Sequence, residues 1–272
     1  MKIAILGAGN IGLALAKGLA ASGKFKPGNI TLTRRNTNSL LYLKEKGFAV
    51  TENNKTAVRQ NEIIIITVLP QQVNDLLDKV KGEFDVKKHL IISVVSGVSI
   101  ATLKNKTGGK IPVIRAMPNT AIALGQSMTC LAGDAISAKY MEKGKAIFDT
   151  VGRTMKIKEE LMTSATALCA CGIAFFLRAI RAASQGGIEI GFHADEALKM
   201  SAQTAKGAAS LLIQGGAHPE NEIDKVTTPQ GCTISGLNEM EHFGFSSAMI
   251  KGIKLSASKA AALYTGREPH QK

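Results

Sequence analysis

A chain of 272 residues, 45% hydrophobic and 20% charged, is long enough for one large domain or two ordinary ones and apolar enough to bury a core, which excludes a disordered polymer. Its formal net charge of +13 comes from scattered Lys and Arg, without a basic run or interleaved aromatics, so it reads as a soluble basic surface rather than a nucleic-acid site, with a field that would also favour a polyanionic cofactor and a carboxylate substrate. The apolar start breaks at Gly7 and reads as a buried strand rather than a signal peptide, and the longest apolar run, Ile63 to Leu69, is too short for a bilayer.

In chain order, Lys2 to Leu6 predicts a strand and Ile11, Leu15 and Leu19 a helix that ends near Ser22-Gly23. Asn29 to Thr33 predicts a second strand and Ser39 to Lys46 a helix. Ile63 to Leu69 is a continuous apolar strand, as a parallel sheet buried on both faces requires, and Pro70 stops it. Val73 to Lys81 reads as helix, His89 to Val95 as strand, Ile100 to Lys104 as a short helix and Ile111 to Ala116 as strand. This alternation is that of a doubly wound sheet. From Glu159 onward the pattern is helical: Leu161 to Cys169, Phe175 to Ser184, Ala194 to Gln214, Gly236 to Phe243 and Ser247 to Tyr264. The expected class is therefore α/β, with a doubly wound domain over 1–157 and an all-α domain over 158–272. The second domain's Ala-Gly-Ser richness permits tight packing between helices, including helices of two subunits. The polar tail Gly266 to Lys272 is expected to fray.

Gly7-x-Gly9-x-x-Gly12 follows the first strand and opens the first helix, the context a dinucleotide-binding fingerprint needs. Gly7 makes the turn, Gly9 lets a pyrophosphate approach the backbone, and Gly12 packs helix on strand. Ala8, Asn10 and Ile11 complete the loop, and the helix N-terminus attracts the anion. An NAD site carries Asp or Glu at the end of the second strand. Thr33-Arg34-Arg35-Asn36 has none, and its two guanidiniums suit a 2′-phosphate, so NADPH is favoured over NADH. Leu69-Pro70-Gln71-Gln72, the Ser96-Gly97 turn, and Asn119 in Arg115–Thr120 also follow strand ends. A cofactor contact and an ordinary turn or cap account for them equally well.

In Val226 to Gly236 a polar loop enters a helix, a seat for a carboxylate, or simply a cap by Thr233 or Ser235. Cys130, Cys169, Cys171 and Cys232 form no CxxC pair, and no His lies at metal spacing from them, so free thiols in a reducing, cytoplasmic setting and no metal are expected. Cys169-x-Cys171 reads as small-residue packing in an apolar helix.

The chain resembles the pyrroline-5-carboxylate reductases from Met1 to about Leu263, most specifically at Arg115-Ala116-Met117-Pro118-Asn119-Thr120 and Val226 to Gly236, and also at Ser93 to Leu103 and Gly244-Phe245. The resemblance implies a Rossmann domain followed by a helical dimerisation domain, a homodimer or higher homo-oligomer, and NAD(P)H-dependent reduction of the cyclic imine 1-pyrroline-5-carboxylate to L-proline, the last step of proline biosynthesis. It implies an active site between one subunit's N-terminal domain and its partner's helices. Carried over, Gly7, Gly9 and Gly12 are the pyrophosphate loop, and Arg34 and Arg35 the adenosine-phosphate pair. Pro70 and Gln71 match the family's Lys-Pro-Gln, Asn119 lies beside the nicotinamide, and Gly231, Cys232 and Thr233 form the substrate loop, with Thr233 catalytic.

The chain departs from the family pattern in four places. Leu69 stands for the usual Lys, Gln230 for the second residue of Pro-Gly-Gly, Phe243 for a Gly, and Cys169 to Phe175 for Ser-Gly-Ser-Gly-Pro-Ala-Tyr. Two other readings remain: an NADP-binding reductase of another imine or a hydroxy acid, and a non-catalytic NADP-binding regulator. Neither nucleic acid nor membrane is expected as a partner.

Overall fold

The computed structural model describes residues 1–263; Tyr264 and the tail Gly266 to Lys272 lie outside them. Two compact units form, Met1–Cys171 with the segment from Leu255, and Gly172–Lys254.

The first unit contains an eight-stranded sheet in the order β3-β2-β1-β4-β5-β6-β7-β8. Its strands are β1 (Ile3–Leu6), β2 (Ile30–Thr33), β3 (Ala49–Thr51), β4 (Ile63–Ile66), β5 (Leu90–Ser93), β6 (Val113–Met117), β7 (Ser127–Gly133) and β8 (Gly152–Lys156). Strands β1 to β6 pair in parallel, β7 runs antiparallel to β6, and β8 is parallel to β7. Helices α1 (Asn10–Ala21), α2 (Leu41–Glu45), α3 (Asn54–Gln60), α4 (Val73–Val80), α5 (Ile100–Thr107) and α6 (Met141–Phe148) connect them.

Alternation along the strands divides the core. Ile3, Ile5, Ile63, Ile65, Ile92 and Ile114 belong to one cluster with Leu15 and Leu19 of α1. Ala4, Leu6, Ile64, Ile66, Ile91 and Val113 belong to another with Val58 of α3, Leu77 of α4 and Leu103 of α5. Both faces of the central strands β1 and β4 are covered, which is why they read as uninterrupted apolar runs.

The doubly wound expectation holds for the five strands read from the sequence, but β3, β7, β8, α3 and α6 add to it. The three-residue β3 is too short to show a period. Edge strand β8 is largely exposed, so its sequence Gly-Arg-Thr-Met-Lys lacks the apolar signal of a buried strand. After β8, a short turn at Glu159–Leu161, α7 (Met162–Ala165) and a π-helical turn at Thr166–Cys171 follow.

The second unit holds α8 (Gly172–Glu189), α9 (Ala194–Gly215), α10 (Pro219–Asp224) and α11 (Cys232–His242), and the start of α12 (Phe245–Ala262). Helices α8 and α9 meet closely at Gly187, where a Cβ would lie 3.0 Å from that of Ala197. Phe176, Leu177, Ile188, Leu211 and Ile213 stay exposed in this single chain. Glu159–Glu189 is a helical stretch of 31 residues in which an 18-residue portion has mean hydropathy 1.6, long and apolar enough by those two measures to cross a membrane. This corrects the expectation that no segment was long enough: Ala167 to Leu177, apolar but for Gly172, lies within this stretch and is longer than Ile63 to Leu69.

Candidate functional site

The loops after β1, β2, β4, β5 and β6 gather at the C-terminal edge of the parallel strands, and β1 lies between β2 and β4, where the chain reverses its direction of winding. Gly7 turns the backbone at φ +104°, and a Cβ there would lie 2.6 Å from Val68 Cγ1. A Cβ on Gly12 would stand 2.7 Å from the Gly7 carbonyl oxygen and 2.8 Å from Thr67 Oγ1, so α1 sits against its own entry loop. Gly9, the N-cap of α1, faces open space: a Cβ there would meet nothing within 4 Å. No side chain caps α1 and no acid lies in its first turn, so its N-terminal N–H groups and dipole face that space uncompensated. A pyrophosphate fits a cradle of this kind.

Two threonines that the sequence reading passed over hold the cradle. Thr33 O accepts from Ala8 N–H at 2.7 Å, and Thr67 Oγ1 donates to Gly7 O at 2.6 Å. Thr33 Oγ1 also accepts from Gly7 N–H at 3.3 Å, and the sequence signal was a threonine at the end of each of these strands. Arg34 and Arg35 are exposed after β2. The Arg34 guanidinium donates to Ala8 O at 3.4 Å, which links it to the glycine loop, whereas Arg35 has no partner among the described residues.

Leu69 is 64% exposed, and Pro70 and Gln71 begin a tight turn in which Gln72 Oε1 accepts from Leu69 N–H at 3.3 Å. Ser96 and Gly97 follow β5 and are half-buried. Asn119 caps the turn Thr120–Leu124: its Oδ1 accepts from Ala121 N–H at 3.0 Å, its own N–H donates to Ser127 Oγ at 3.1 Å, and its Nδ2 donates to Cys169 O at 3.1 Å. Of its two readings, the capping one is therefore realised in the fold.

The second unit carries the loop before α11. Gly231, not Thr233 or Ser235, is the N-cap, and α11 begins at Cys232, four residues earlier than Gly236. Extended backbone at Gly231 (φ −74°, ψ 159°) closes the helix entry, so Thr233 lies inside the first turn and Ser235 Oγ donates back to Gly231 O at 3.2 Å. Gly231 N–H donates to Thr228 O at 2.9 Å across Pro229 and Gln230. Gln230, at φ +58°, is the one non-glycine residue with positive φ among the described residues. Proline second and positive φ third is the pattern of a type II turn, whose third position favours Gly.

No group of three or more His, Cys, Asp or Glu side chains suited to a metal occurs among the described residues. Cys169 packs against an apolar cluster that contains Cys130, their sulfurs 3.9 Å apart.

Residues 159–263 match the family described as pyrroline-5-carboxylate reductase dimerisation, and residues 2–97 the family described as NADP oxidoreductase coenzyme F420-dependent. Pyrroline-5-carboxylate reductase 2 of Dictyostelium discoideum is 47% identical over 275 residues, covering 95% of this chain and 92% of that protein. The chain belongs to the pyrroline-5-carboxylate reductase family. Pyrroline-5-carboxylate reductase 1 of the same organism is 53% identical over 281 residues, 99% of this chain and 51% of that protein, so the chain spans about half the length of that relative. The reductase fold is shared with the crystal structure of Plasmodium falciparum pyrroline carboxylate reductase with NADP bound, at TM-score 0.88 and 23% identity over 97% of this chain and 98% of that one.

Proposed function

We propose that this chain reduces 1-pyrroline-5-carboxylate to L-proline with NADPH, NADH being the weaker donor. The observation that carries the reading is the open cradle at Gly9, set beside two exposed arginines where an NAD site would place an acid, in a chain of this family. Gly7, Ala8, Gly9, Asn10, Ile11 and Gly12 hold the pyrophosphate, and Arg34 and Arg35 the 2′-phosphate. Leu69, Pro70, Gln71, Ser96, Gly97 and Asn119 complete the cofactor edge. Residues 1–157 form the cofactor domain, and the chain from 158 the substrate and dimerisation domain.

Bound NADPH supplies the hydride that the imine carbon accepts. The chain's part is to position and to neutralise. The Cys232 and Thr233 N–H groups, in the first turn of α11 after Gly231, bind the substrate carboxylate. The Thr233 hydroxyl, which has no partner among the described residues, orients the ring nitrogen and relays its proton. Asn119 sets the shape of the nicotinamide edge through its three hydrogen bonds.

The exposed apolar side chains of α8 and α9 support a homodimer through the C-terminal helices, and an apolar stretch that awaits a second subunit has the composition of Glu159–Glu189. The reading includes a cytoplasmic setting, with no nucleic-acid or membrane partner.

The test is NADPH oxidation with 1-pyrroline-5-carboxylate, run beside six-membered cyclic imines and hydroxy acids. Fastest turnover with the five-membered imino acid is expected. Preference for another substrate would favour a different reductase, and NADPH binding without turnover would favour a regulator.

A further inference from the structure

We infer that Cys130 and Cys169 form a peroxide-sensitive dithiol, which closes to a disulfide and slows turnover. Cys130 lies on β7, in register with Met117 of β6. Cys169 lies on the π-helical turn Thr166–Cys171, and the sulfurs are 3.9 Å apart within one apolar cluster that includes Met117, Ala132 and Met162. A disulfide needs about 2.0 Å, so the sulfurs must close by roughly 1.9 Å. Side-chain rotation and the loosely wound turn can supply that movement.

The roles divide by exposure and charge. Cys130 is buried and Cys169 partly exposed, so an incoming oxidant meets Cys169 first. The hydrogen bond between the thiols brings Cys169 down to about 7, while the same bond and then burial push Cys130 well above the usual thiol range. Burial alone pushes Cys171 up, which leaves it the poorer nucleophile.

The Cys169 thiolate attacks hydrogen peroxide, takes one oxygen as sulfenic acid and releases hydroxide, which is protonated to water. Cys130 sulfur then attacks the sulfenic sulfur, the S–S bond forms, and the oxygen leaves as a second water. Two thiols are oxidised and one peroxide is reduced to two waters.

Turnover is the readout that rests on the proposed function. Cys169 O accepts from Asn119 Nδ2, and Asn119 shapes the nicotinamide edge. Drawing Cys169 toward β7 disturbs that bond.

The experiment treats the full-length protein with hydrogen peroxide, quenches it, and follows intact mass, disulfide-mapped peptides and NADPH-dependent turnover before and after a thiol reductant. Loss of two hydrogens per chain, a Cys130–Cys169 peptide, and a several-fold fall in turnover restored by the reductant are expected. Cys130→Val and the size-conserving Cys169→Ser should each abolish the cross-link and the reversible loss, and Cys171→Ser should keep both. Oxygen addition without a cross-link, a cross-link through Cys171 or Cys232, or reversible inhibition that survives in Cys130→Val would overturn the assignment. The mass readout needs no substrate, so a formed Cys130–Cys169 bond in a protein inactive on pyrroline-5-carboxylate would fault the proposed function and spare the dithiol.

Discussion

Arg115 and Glu159 join the sheet to the start of the following helical stretch: Arg115 Nη1 donates to Glu159 Oε1 at 3.4 Å, and the same oxygen accepts from Ile100 N–H at 2.6 Å. The Arg115 side chain is only 6% exposed, and its Nε and Nη2 have no partner among the described residues. Burial holds its pKa below the usual guanidinium range, and the Glu159 charge works against that. Removing one member of a buried pair strands the other charge at a cost of about 3 kcal/mol or more. Glu159→Ala should therefore lower stability by about that amount in urea unfolding. Arg115→Met should cost less, because Glu159 is 29% exposed and can hydrate. An equal or larger loss in Arg115→Met would show that the guanidinium stabilises by more than its pairing.

Gln230 occupies a turn position that prefers Gly. Gln230→Gly relieves backbone strain of roughly 1–3 kcal/mol but loosens the unfolded chain by about 0.4–1 kcal/mol. A small net gain, on the order of 1 kcal/mol, is expected in thermal unfolding. Gly231→Ala should do the reverse, since its Cβ would lie 2.5 Å from Thr228 Oγ1 and 2.9 Å from Thr228 O. If Gly231→Ala were as stable and active as the parent, the tight closure of this loop would not matter.

The two arginines after β2 differ in their attachments. Arg35→Ala should weaken NADPH by roughly tenfold to a hundredfold, the worth of one charge-assisted hydrogen bond, and leave NADH nearly unchanged. Arg34 also holds Ala8 O, so Arg34→Ala should weaken both cofactors, NADPH more. Titration of the four enzyme–cofactor pairs in which Arg35→Ala moved NADH as far as NADPH would remove the 2′-phosphate assignment.

Thr233→Ala should lower kcat by roughly tenfold or more, the low end of general acid–base effects, with NADPH binding and folding kept. Thr233→Ser retains the hydroxyl and should keep much of the rate. Steady-state turnover of both variants decides this: parental kcat in Thr233→Ala would leave the hydroxyl without a catalytic role.

Much of the first unit was legible because its signals are local. An uninterrupted apolar strand such as Ile63–Ile66 announces a sheet covered on both faces, and a glycine triplet between strand and helix announces the cradle, since only a chain without side chains there can turn and pack so closely. The short β3 and exposed β8 escaped because few of their residues are buried. The entry to α11 was misplaced because Gly231, Thr233 and Ser235 are all acceptable caps, and only the Thr228–Gly231 turn selects among them.

The sequence by itself therefore determined the α/β order, the family, the cradle and the arginines in place of an acid, all properties of neighbouring residues along the chain. Only the tertiary structure decided that Thr67 grips Gly7 across 60 residues, that Asn119 is spent on three hydrogen bonds, that Arg115 meets Glu159, and that Cys130 faces Cys169. Each joins residues far apart in sequence, and no local periodicity encodes such a meeting: it follows from strand register and from how the later turns pack against the sheet.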